Sequence, residues 1–101
     1  MTEDELKERT KKFALRIIKL VDALPKTTAG RAIGGQLVRS GTSVPANYRA
    51  ACLAQSKREF TSKISIVLEE ADECFFWIEF ILDENLIDSE KLKNYPTCTD
   101  C

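Results

Sequence analysis

The chain has no histidine, and its 101 residues include one tryptophan, one methionine, two tyrosines, three prolines and four glycines. Without histidine the commonest general base is missing, and no nucleophile stands at a recognisable spacing from another base, so an enzyme is not expected. The same gap excludes the Glu-x-x-His sets that build di-metal centres in helical bundles. Scarce glycine and proline, beside 44% hydrophobic and 31% charged residues, favour a helical globular protein over a disordered or all-β one. No apolar run reaches the roughly 18 residues of a spanning helix, and the opening MTEDELKERTKK alternates acid and base, unlike a secretion signal. A cytoplasmic protein without membrane association is the expectation. A formal net charge of −1 provides no overall basic field, so contact with nucleic acid would need a local patch.

Four cysteines do not make a disulfide framework here. Cys52 and Cys74 fall inside helical patterns and Cys98 and Cys101 in the tail, which favours reduced thiols. Cys98-Thr-Asp-Cys101 has the spacing of half a zinc knuckle or a redox pair, but no second pair accompanies it, and neither a metal nor a cofactor is expected.

What the chain does have is helical periodicity. Leu6, Phe13, Ile17, Leu20, Val21 and Leu24 recur at three- and four-residue steps until Pro25, which predicts a helix over about Asp4 to Leu24. A second helix begins near Thr28 as N-cap, with a seam of Ile33, Leu37, Ser40, Val44, Asn47 and Ala51. Pro45 sits inside that register. One kinked helix running to about Leu53 accounts for the pattern; the alternative is a break with Ser43 capping a separate helix. Ser56-Lys57-Arg58-Glu59 is a capping box that opens a third helix, with a seam of Phe60, Ile64, Val67, Ala71, Cys74, Ile78 and Ile81. Helices two and three, each roughly 40 Å long at about 1.5 Å per residue, and joined by a tight turn, form an antiparallel pair. Asp88-Ser89-Glu90 starts a fourth helix that Tyr95-Pro96 stops after about two turns. The fold expected is all-α, an antiparallel up-and-down four-helix bundle with an abbreviated fourth helix, in one domain over 1–94 with an irregular tail over 95–101.

Charge is segregated by helix. From Thr28 to Gln55 the only charged residues are Arg31, Arg39 and Arg49, whereas Ser56 to Glu84 holds eight acids against three bases. At about 100° per residue, Arg31 and Arg49 project from one line of the second helix, with Arg39 about 80° away, all off the seam. On the third helix Phe76 and Phe80 fall opposite the seam, flanked by Glu69, Asp72 and Glu73. The stretch CFFWIEFIL, Cys74 to Leu82, is apolar nearly all round, and each large ring offers on the order of 150–250 Å². A surplus of this size marks a partner surface. The expectation is homo-oligomerisation through Arg31, Arg49, Glu69, Asp72, Glu73, Phe76 and Phe80, with the acidic aromatic face of one copy meeting arginines of the next. The alternative is pairing of these charges within one subunit, where each exposed pair contributes only about 0–1 kcal/mol.

Two further patterns carry less. The glycines of Gly30-Arg31-Ala32-Ile33-Gly34-Gly35 follow no strand and precede no Lys-Ser/Thr, so close helix packing explains them better than a phosphate loop. Glu69-Glu70-Ala71-Asp72-Glu73 is a carboxylate cluster whose simplest reading is a solvated or salt-bridged face.

The segments GRAIGGQLVRSGTSVPANYRAA, SKREF and EEADECFFWIE resemble the four-helix-bundle proteins encoded in intervening sequences of large-subunit (23S) rRNA genes, over roughly Phe13 to Asn94. The resemblance implies an antiparallel four-helix bundle assembling as a ring-shaped homopentamer. It also implies a relation to the accessory proteins of diversity-generating retroelements, whose basic barrels associate with nucleic acid and a reverse transcriptase. Arg31 and Arg39 match arginines of the family's second helix, and with Arg49 they are the candidates for contact with RNA or an RNA-associated protein. The chain departs from the family pattern after Asn94, ending in YPTCTDC, and it is slightly acidic where the retroelement accessories are basic; five copies would carry about −5. The competing reading is a protein-interaction scaffold that binds no nucleic acid.

Overall fold

Three helices account for the regular structure of residues 1–87, the part that the computed structural model describes: α1 (Glu3–Asp22), α2 (Thr28–Cys52) and α3 (Lys57–Asp83). No strand occurs among the described residues. The fourth helix expected from Asp88, and the tail with Cys98 and Cys101, lie outside them.

Each helix begins on a side-chain cap. Thr2 Oγ1 accepts from the Glu5 N–H at 3.1 Å, and Glu3, Asp4 and Glu5 place negative charge on the positive end of the α1 dipole. Thr27, one residue before the predicted Thr28, caps α2 by accepting from the Gly30 N–H at 3.1 Å. Ser56 caps α3 as predicted, accepting from the Glu59 N–H at 3.1 Å, while the Glu59 carboxylate reaches back to the Gln55 N–H at 3.1 Å. The box thus closes one residue further upstream than its usual form.

α2 runs through Pro45 without a break, so no separate helix starts at Ser43. Proline supplies no N–H for the Gly41 carbonyl. The Thr42 and Ser43 hydroxyls do not replace it: they donate to Val38 O at 2.6 Å and Arg39 O at 2.7 Å, one turn back.

α2 is the central helix, packing against α1 on one side and α3 on the other. Five residues join α1 to α2 and four join α2 to α3, and both pairs are antiparallel. The shape is elongated, 44 × 24 × 17 Å. Phe13, Ile17, Leu20, Leu24, Leu37, Val44, Cys74, Ile78 and Ile81 form the core, with Ile87 closing one end. Ser40 is fully buried at a seam position; its hydroxyl donates to Gln36 O at 2.8 Å and accepts from Cys74 Sγ at 3.5 Å. That small, satisfied pair lets α2 and α3 approach closely.

Phe60 departs from its predicted seam role and is 44% exposed. Ser40 lies against Cys74, so counting equally outward sets Phe60 opposite Ala54, past the end of α2 at Cys52. The heptad pattern continues there, but the neighbouring helix does not.

Candidate functional site

The first surface is a groove of about 500 Å³ between α2 and α3. Arg39 crosses it, donating from Nη1 to Glu70 Oε2 at 3.0 Å, from Nη2 to Glu73 Oε2, and from Nε to Gln36 Oε1 at 3.3 Å. Trp77 Nε1 donates to the same Glu73 oxygen at 3.3 Å. Arg39 is therefore paired within its own chain, the alternative the sequence left open. Because its side chain stays about half exposed, the pairs orient the groove more than they stabilise the fold.

Beyond Arg39 the groove opens onto rings. Phe76 packs edge-on against Trp77 and against Phe80, with centroids 5.1 Å apart in both pairs, and Trp77 lies 5.7 Å from Phe80. Phe76 and Phe80 are 47% and 41% exposed, while Trp77 packs partly on the core. Glu69 and Asp72 line the groove with no ion pair among the described residues. The carboxylate cluster of α3 thus divides: Glu70 and Glu73 answer Arg39, and Glu69 and Asp72 face outward.

Arg31 and Arg49 lie on the other side of α2, along α1. Arg31 lines a groove of about 440 Å³ whose walls include Val21, Leu24, Pro25 and Val38. Arg49 lines a second groove of about 360 Å³ with Lys7, Lys11, Thr42 and Pro45. Glu8 also lines this second groove and pairs with Lys12 at 3.9 Å, while Glu3 pairs with Lys7 at 4.0 Å. Neither Arg31 nor Arg49 has an ion pair among the described residues. The three arginines of α2 are thus not one patch. Lys7 and Lys11, which the sequence reading did not single out, join Arg49 only because α1 and α2 are antiparallel; their i, i+4 spacing was the available signal.

Tyr48, the residue before Arg49, is buried, and burial above all, with its hydrogen bond to Cys52, pushes its phenol up to about 12. Burial likewise raises the Cys52 thiol. A thiol shifted in that direction is a poor nucleophile at neutral pH. Cys52 and Cys74 are both reduced thiols.

A family model described as 23S rRNA-intervening sequence protein matches residues 3–100, a wider span than the motifs between Phe13 and Asn94. The YPTCTD segment therefore falls within the match. A solved structure of a protein of unknown function from the S23 ribosomal protein family of Bacteroides thetaiotaomicron VPI-5482 is similar, with a TM-score of 0.82 and 34% identity. The alignment covers 93% of this chain and 84% of that one. None of the curated proteins matches this chain.

Proposed function

The chain belongs to the 23S rRNA-intervening sequence protein family, and on that premise we propose that it is a non-enzymatic, self-associating helical bundle protein. The observation that carries this reading is the aromatic cluster of α3: two phenylalanines more than 40% exposed and stacked into one ridge with Trp77, beside two unpaired carboxylates. Leu68 and Leu82, 66% and 42% exposed, are further exposed apolar side chains of the same helix, on a different side from the ridge. An apolar surface of this extent on a small protein is the mark of a partner face. The partner is a second copy, and five copies is the number that the family resemblance implies. Replacing Phe80 by glutamate puts a charge on the ridge without touching the buried seam. Light scattering behind size exclusion should show Phe80→Glu at lower mass than the parent protein; equal masses would remove the reading.

A second reading concerns RNA or an RNA-associated partner. Arg49, Lys7 and Lys11 converge on one groove, three bases against the one lining acid, Glu8, which pairs with Lys12. Phosphate contact by three such groups predicts that log affinity for single-stranded RNA falls with log salt at a slope of about −2. Absence of binding at low salt would leave the protein a pure interaction scaffold.

A further inference from the structure

We propose that the aromatic ridge of α3 docks into the Arg31 groove between α1 and α2 of a second copy of this chain. The proposal rests on the self-association above and names its two halves.

The inserting half is the Phe76–Phe80 pair, an exposed edge-to-face unit on α3, with Glu69 and Asp72 beside it. The receiving half is an apolar recess of about 440 Å³, within the range of pockets that bury a small ligand. Its walls are Val21, Leu24, Pro25 and Val38, and Gly34 and Gly35 form part of its lining. A Cβ placed on Gly35 meets no heavy atom within 4 Å, so the recess is open above that residue. Arg31 and Lys26 also line it, against the single acid Asp22. Both halves are thus apolar at the centre and oppositely charged at the edge. Insertion removes phenyl rings from water and brings Arg31 to the carboxylates of Glu69 and Asp72. The chain already makes this kind of pair internally, where Arg39 spans Glu70 and Glu73 next to Trp77. The Arg49 groove is a poorer receptor, because a ring seated there would strip water from Lys7 and Lys11 together.

The two halves are different surfaces of one subunit, so the contact is heterologous. Each copy gives its ridge to one neighbour and its groove to another.

Two variants test this by solution mass, with circular dichroism reporting the fold. Gly35→Leu fills the recess from a position where the monomer has open space, and Arg31→Asp reverses the edge charge. Each should retain helicity and lower the mass toward 11.4 kDa. Adding Asp72→Arg to Arg31→Asp should restore the mass of the parent protein. The proposal is overturned if Gly35→Leu keeps the parental mass while Phe80→Glu loses it, which leaves self-association intact through another receptor. It is also overturned if Arg31→Asp lowers the mass and the exchange does not recover it. If Gly35→Leu unfolds, the charge exchange alone decides. A parent protein of 11.4 kDa in solution would remove both self-association and this contact.

Discussion

Gly41 sets how closely α1 and α2 approach. A Cβ there would lie 2.8 Å from Ile17 Cγ2, and Ile17 is fully buried and has nowhere to move. Gly35, six residues earlier on the same helix, faces open space. The two positions should respond in opposite directions to one chemical change. Gly41→Ala should lower stability by about 1–3 kcal/mol through overpacking, and Gly35→Ala should raise it by about 1 kcal/mol through helix propensity. Urea denaturation of the two variants checks this, and shifts of the same sign would contradict it. Close packing was legible in the Gly30–Gly35 cluster, and it holds at Gly34, where a Cβ would lie 3.0 Å from Val21 Cγ1, but not at Gly35; Gly41 was not singled out, because its role depends on the position of Ile17. Tyr48 gives a second test at this scale. Its phenol is raised from 10.0 to about 12, so above pH 10 the unfolded chain releases a proton that the native state keeps. Stability should therefore fall between about pH 10 and pH 12, and Tyr48→Phe should flatten that decline. An unchanged pH profile in the variant would mean that other groups govern the alkaline limit.

At the scale of elements, α3 ends through backbone geometry more than through a change in hydrophobic pattern. Asn85 adopts φ 52°, the Leu86 N–H bonds to Ile81 O at 3.0 Å, and the Asn85 N–H bonds to Leu82 O at 3.2 Å. These bonds make a Schellman motif with asparagine in the left-handed position that glycine usually fills. Asn85→Val should cost about 1–2 kcal/mol, while Asn85→Gly should be neutral or stabilising, as thermal melts of the two would show. A valine variant melting with the parent protein would refute the assignment. Helix starts were legible because Ser56 and Glu59 announce themselves by type and spacing. The lateral order was not: nothing in the local sequence says that Arg39 meets Glu70 and Glu73 while Arg31 meets only the α1 side. That division follows from the antiparallel pairing of α2 with both neighbours. Phe60 failed for a related reason, since periodicity cannot report where the facing helix stops.

At the scale of the molecule, the described residues carry an acidic aromatic face on α3 and, on the α1 side of α2, Arg31 and Arg49 without an ion pair among the described residues. Among the described residues no helix is long and apolar enough to cross a membrane. The excess of apolar side chains on α3 was visible in the sequence as CFFWIEFIL, because no single stripe accommodates it. Its receptor was not visible, since the Arg31 groove is built from both α1 and α2. The most direct measurement is the mass of the parent protein by light scattering across a wide concentration range. Self-association through the α3 ridge predicts a species at a multiple of 11.4 kDa that dissociates on dilution or on ridge substitution. A folded species holding at 11.4 kDa at the highest concentration would contradict the account.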